Sequence, residues 1–400
     1  MTDAAPSTTA KRPHLGHAAL SLVTLAGGVT LAVIPAATVS IAARLFSVPE
    51  QGYLAVAVLL ATFAGQLGSA IVVESRLSSA GTDRRVTFPR WFGLFAVLTA
   101  LVLVFVPPNA LILALGLPVM LAALEVGRGV SVAERLDRRE IFASIAVGSG
   151  ALAGVLAGFT GARWALVPLL AGIALATLIR CLPVPHRSSR AHPHVLGWVL
   201  ADTAISGAVA PLINVVILAV LGAHNAVLFT ALSTVSGLLA IPLNFMRLRL
   251  LKEHSRLDVV VSAASLCAAV AVLVALQLTG VFRCVFGEAW MSQPTLLPLL
   301  LACAWRAASL LTTLPFTALR RSGAVRLLTF LRAGVSAMTL GLAALGPWLS
   351  TATEIGGLST VFAALLVAEL ASAGIYEAAR RRHGSEPRRT PEQQPGSVAL

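Results

Sequence analysis

Residues 51–77 read QGYLAVAVLLATFAGQLGSAIVVESRL, with no charged residue before Glu74. A helix rises about 1.5 Å per residue, so about 20 apolar residues in sequence cross the hydrocarbon core of a bilayer. This stretch is long enough to cross as a helix and too long for a strand of a membrane barrel. In lipid, every backbone polar group must be satisfied internally, and a helix does this within one segment.

Blocks of the same character recur along the chain. They predict helices over 18–43, 51–77, 90–107, 109–127, 141–160, 162–182, 195–221, 225–250, 258–282, 295–318, 325–350 and 355–380. The expected fold class is therefore all-α, a polytopic membrane protein with about twelve transmembrane helices. Composition agrees: hydrophobic residues make up 57% of the chain and charged residues 12%, and mean hydropathy is +0.86. Too little polar surface remains to cover a soluble body of this size. The segment from Lys11 to Ala43 has the basic start of a signal peptide, but its apolar run is longer than an h-region and reads as the first span.

The net charge of +13 does not point to nucleic acid, because the basic residues are spread through short loops rather than gathered on one folded surface. They alternate by side. One side holds Lys11, Arg12, Arg76, Arg84, Arg85, Arg90, Arg128, Arg135, Arg138, Arg139, Arg180, Arg187 and Arg190. It continues with Arg247, Arg249, Lys252, Arg256, Arg320, Arg321, Arg326, Arg332 and the cluster from Arg380 to Arg389. The other side holds Arg44, Arg163 and Arg283. Positive-inside bias then puts both termini in the cytoplasm and requires an even number of spans. Glu74 with Arg76, and Glu125 with Arg128, read as local interfacial pairs, and Glu134, Asp137 and Glu140 as a solvated loop.

A division near His194 gives two sets of six spans with one orientation. The predicted organisation is a cytoplasmic tail 1–17, an N-lobe 18–182, a cytoplasmic linker 183–194, a C-lobe 195–382 and a disordered tail 383–400. His14-Leu15-Gly16 before the first span echoes His194-Val195-Leu196-Gly197 at the seventh. Pro35 and Pro211 sit at similar depths in those two spans. Proline removes a helical hydrogen bond, so both are hinge candidates, although chance placement among 21 prolines competes with that reading. The four cysteines, Cys181, Cys267, Cys284 and Cys303, have no CxxC spacing and read as free thiols. His192-Pro193-His194 lacks further ligands, so no metal site and no cofactor is expected.

The run Ala43-Arg44-Leu45-Phe46-Ser47-Val48-Pro49-Glu50-Gln51-Gly52-Tyr53 resembles the junction between helices 1 and 2 of polysaccharide and O-antigen flippases of the MOP exporter superfamily. Phe286-Gly287-Glu288-Ala289-Trp290 and Leu221-Gly222-Ala223 look like the second-half counterparts. The resemblance covers about residues 15–382 and rests on span count and spacing more than on these short motifs. It implies two parallel six-helix lobes around a central cavity, lined by helices 1, 2, 7 and 8, and alternating access that moves a lipid-linked sugar across a bacterial cytoplasmic membrane. The implied partners are a polyprenyl-diphosphate-linked glycan, membrane lipids and other polysaccharide-assembly proteins.

Polar stripes fall on the same four helices. The first has Ser21, Thr24, Gly28, Pro35 and Thr38; the second Thr62, Gln66 and Ser69; the seventh Asp202, Ser206 and Asn214; the eighth Thr230, Thr234, Gly237 and Asn244. Such faces either line a wet cavity or pack helices against each other. Gly150, Gly154 and Gly158 read as a packing seam. Arg306 and Glu369 lie at similar depths in the tenth and twelfth spans. They either pair with each other, or Arg306 faces the cavity and attracts the diphosphate of a lipid carrier, for which a planar guanidinium is suited. Asp202 is either a hydrated mouth residue or a proton or cation site. Arg44 either snorkels to the interface or guards the outer mouth.

No GxxxxGK[ST] loop is present, so the chain shows no means of hydrolysing ATP. A membrane glycosyltransferase would present acidic residues on a sizeable loop, and the outer loops here are a few residues long, so no enzyme is expected. The candidate functions are a flippase of lipid-linked oligosaccharide, a drug or metabolite antiporter of the same superfamily, and a non-transporting scaffold for polysaccharide assembly. The absence of mid-membrane carboxylates in helices 1 to 3 favours the flippase.

Overall fold

The computed structural model describes residues 33–77, 85–183, 193–239, 256–287, 290, 294–321, 325–352 and 356–384. Thr24 and Asn244, with both tails and most of the 183–194 linker, lie outside the described residues. Every predicted span has a helical counterpart: α1 (Val33–Leu45), α2 (Val48–Ser69, continued by a π-helical turn at Ala70–Glu74), α3 (Arg90–Phe105), α4 (Ala110–Ala133), α5 (Asp137–Phe159) and α6 (Leu166–Arg180). There follow α7 (Pro193–Gly207 and Val209–Leu221), α8 (Ala223–Gly237), α9 (Arg256–Leu278), α10 (Leu296–Arg321), α11 (Val325–Ala352) and α12 (Gly357–Gly384). Among the described residues seven helices are long and apolar enough to cross a membrane, and four shorter ones are apolar. The chain is an all-α polytopic membrane protein.

Local chemistry sets the boundaries. Pro49 and Glu50 open α2, the Glu50 carboxylate accepting from the Ser47 amide at 2.9 Å and its hydroxyl at 2.7 Å, which satisfies donors at the helix start. The Asn109 side chain caps α4 by accepting from Leu111 N (2.9 Å) and Ile112 N (3.2 Å). The helix then runs six residues beyond its predicted end. It stops where Arg135 turns left-handed (φ 55°) and the Leu136 amide reaches back to the Ser131 carbonyl at 2.8 Å, the closing bond of a Schellman turn. α7 breaks at Ala208. Pro211, three residues on, has no N–H to give the Gly207 carbonyl, so the ladder lapses one turn ahead of the proline. α9 ends earlier than predicted, because left-handed Gly280 (φ 78°) stops the chain before a six-residue helix, Val281–Phe286.

The described residues fall into two compact units, Met1–Ile241 with Gly280–Gln293, and Pro242–Thr279 with Pro294–Leu400. In the first, α2 packs along α4 and α5 along α6 over a core that includes Ile34, Leu54, Met120, Leu124 and Leu169. The α5–α6 contact is close enough that a Cβ on Gly150 would lie 2.5 Å from the Pro168 carbonyl oxygen, and one on Gly172 would lie 2.6 Å from that of Ala146. Only glycine lets two backbones approach in this way, which is the role read for that seam. In the second unit α10 and α11 both pack on α12, the latter contact including a bond from the Thr360 hydroxyl to the Gly346 carbonyl (2.8 Å).

Candidate functional site

The first unit buries a chain of charge on helices that the hydropathy pattern makes membrane-spanning. Glu140 of α5 and Arg180 of α6 form a bidentate pair (Nε–Oε2 3.1 Å, NH2–Oε1 2.6 Å), and their side chains are 2% and 1% exposed. The third nitrogen of Arg180 donates to the Leu124 carbonyl at 3.2 Å, and Arg128 approaches Glu140 at 3.8 Å. Glu140 is therefore not part of a solvated loop, and Arg180 is not a free loop charge: burial is tolerated because the two charges neutralise each other at donor–acceptor distance. Glu134 likewise has a structural partner, accepting from the Val86 amide at 2.5 Å.

Glu125, one turn before Arg128 on α4, lies against Gly65 of α2, where a Cβ would overlap its carboxylate. It is within electrostatic range of Arg128 and of Glu74 in the π-helical turn, so it belongs to an inter-helix network rather than to a local interfacial pair. Arg76 donates to the carbonyls of Ile71 (2.9 Å) and Val72 (2.6 Å) in the π-helical turn.

The predicted polar stripes divide. Gln66 lies over the break in α7, its amide oxygen 2.6 Å from where a Gly207 Cβ would stand. Asp202, on the half of α7 that has no buried residue, has its carbonyl oxygen bonded by the Ser206 hydroxyl (2.8 Å). Asn214 is fully buried and donates to the Thr230 hydroxyl (2.9 Å), which itself lies 3.4 Å from the Ala55 carbonyl of α2. Thr38, Thr62 and Thr234 bond the carbonyls four residues back in their own helices, at 2.9, 3.0 and 2.7 Å, the local bond open to a helical hydroxyl. Pro35 stands in the first described turn of α1.

Arg44 closes the α1 end of the first unit. Its guanidinium donates to the carbonyls of Ser40 (2.5 Å), Val285 (2.9 Å) and Cys284 (2.5 Å) and stacks over Phe159 at 4.1 Å. Ser40 adds a bond to Val285 O (2.8 Å). The last carbonyls of a helix have no partners within it and carry negative partial charge, so a cation at the end of Val281–Phe286 is a favourable cap.

In the second unit Arg306 and Glu369 attract each other without direct ion-pair contact: Glu369 is held by the Thr312 hydroxyl at 2.6 Å, while the Arg306 guanidinium stacks over Trp305 at 4.1 Å. The Arg306 Nε is buried without a hydrogen-bond partner among the described residues. The sequence put these residues at matching depths; the Thr312 and Trp305 contacts follow from helix phase and had no signal of their own.

No protein-family model matches the chain, and no curated protein matches it. Solved structures do. An outward-facing multidrug resistance MATE family transporter of the MOP superfamily matches at 11% identity and TM-score 0.50, over 92% of this chain and 94% of that one. An inward-facing conformation of such a transporter matches at 13% and 0.51, over 91% and 94%. A MATE structure in the straight conformation matches at 14% and 0.50, over 91% and 94%. At these identities the likeness is one of fold, and the fold is that of the MATE transporters of the MOP superfamily.

Proposed function

We propose that the chain is a transporter that moves a lipid-linked oligosaccharide or polysaccharide precursor across the cytoplasmic membrane by alternating access of two six-helix lobes, 18–182 and 195–382. The fold supports transport of some kind. The observation that carries the substrate class is Arg306: a guanidinium within α10 whose Nε has no hydrogen-bond partner among the described residues, and whose neighbouring carboxylate, Glu369, accepts from the Thr312 hydroxyl and makes no hydrogen bond to the guanidinium. A cation kept in a membrane-spanning helix is expensive unless it has a task, and a guanidinium fork matches the oxygens of a diphosphate.

A second reading, exchange of a small cationic drug or metabolite for a cation, is favoured by Glu125, a carboxylate set between α2 and α4. Helices 1 to 3 lack such an acid, but α4 supplies one to the same unit. Purified protein in liposomes separates the two. The glycan reading expects a labelled polyprenyl-diphosphate glycan to change leaflets, at a rate that Glu125→Gln leaves within about twofold. Proton-driven uptake of a cationic dye, abolished by Glu125→Gln and without glycan movement, would establish the second reading instead.

A further inference from the structure

The side of α5 and α6 away from the core carries an open groove of about 600 Å³. Ala146 forms its floor, next to the close α5–α6 contact at Gly172. Phe142 and Ile145 make one wall, 62% and 60% exposed, and Leu175 and Leu182 the other, 52% and 55% exposed. α5 is a candidate membrane span, so these large apolar side chains face hydrocarbon rather than water.

The groove is not apolar throughout. Arg139 lines it at the first turn of α5, held in place by bonds from its guanidinium to the Leu182 carbonyl (2.8 Å) and the Pro183 carbonyl (3.4 Å). Two bonds leave other donors of the five-donor fork unused, and Arg135 and Arg138 are exposed nearby. A fixed cation at one end of a hydrocarbon-filled slot is complementary to one kind of molecule in a membrane: an amphiphile with an anionic head and a long apolar tail.

We propose that this groove binds one anionic phospholipid, its phosphate on Arg139 and an acyl chain along Phe142, Ile145, Leu175 and Leu182. Basic pockets between spanning helices at the charged end of a membrane protein select anionic headgroups in this way. The site is independent of the transport reading, since it lies within α5 and α6 and involves neither Arg306 nor Glu125.

Native mass spectrometry of the purified protein, titrated with phosphatidylglycerol or phosphatidylcholine, tests it. The wild type is expected to retain one phosphatidylglycerol in preference to phosphatidylcholine. Arg139→Gln, which keeps hydrogen-bond donors for Leu182 and Pro183 but removes the charge, lowers that preference about fivefold, as one headgroup charge contact implies. Ser149→Trp, at an exposed lining position, fills the slot and lowers retention of both lipids without loss of charge. The proposal is overturned if both variants retain phosphatidylglycerol as the wild type does, or if polyprenyl phosphate displaces phosphatidylglycerol from the wild type at equal concentration.

Discussion

Glu140 and Arg180, forty residues apart in sequence, share two hydrogen bonds at 2.6 and 3.1 Å between helices that also meet closely through Gly150 and Gly172. The pair fixes the register of α5 on α6 at one end, and the Gly150–Gly172 approach fixes it farther along.

Removing one partner leaves the other charged and buried. Glu140→Gln is expected to destabilise the first unit by about 3–5 kcal/mol, and replacement of both residues by Leu and Met by much less. Unfolding in mixed detergent–denaturant micelles measures the difference; equal losses in the single and double variants would show that the pair is not the interaction being lost.

The Gly65–Glu125 contact predicts a coupling. Gly65→Ala forces a Cβ into the carboxylate and is expected to cost about 1–3 kcal/mol. In a Glu125→Ala background the cost shrinks, the non-additivity falling within about 0.5–3 kcal/mol. The same unfolding assay closes the cycle, and strict additivity would contradict the contact.

Arg44 predicts a local effect on exchange. Charge-assisted hydrogen bonds are each worth about 1.5–3 kcal/mol, so Arg44→Ala is expected to raise amide hydrogen exchange at residues 281–287 while leaving α5 and α6 protected. Unchanged exchange there would mean the short helix is held without the arginine. Ser40, which bonds the same Val285 carbonyl, predicts a smaller increase for Ser40→Ala.

The spans were legible because hydropathy over about 20 residues decides them, and because Asn109 announces its turn; Gly280, inside the predicted ninth span, did not. The end of α4 was not. A Schellman turn calls for glycine at its left-handed position, and here Arg135 holds it, so the sequence offered no stop and the charged run from Arg128 to Arg139 read as loop. The charges in that run formed a pattern of sides but said nothing of neighbours. That Glu140 finds Arg180, and Glu125 finds Gly65, depends on the rotation of α4, α5 and α6 about their axes, which hydropathy does not set. Pro211 was visible as a break; that the lapse falls at Ala208, over Gln66, needed the helix positions.

In the proposed function Arg306 receives the diphosphate of the lipid carrier. This role is tested most directly by the initial rate at which proteoliposomes move a labelled polyprenyl-diphosphate glycan, compared among wild type, Arg306→Lys and Arg306→Ala at matched protein levels and matched thermal stability. Alanine is expected to lower the rate about tenfold or more, equivalent to at least about 1.4 kcal/mol of lost interaction, with lysine in between because it keeps the charge and loses the planar fork. An alanine variant that translocates the glycan at the wild-type rate would contradict it.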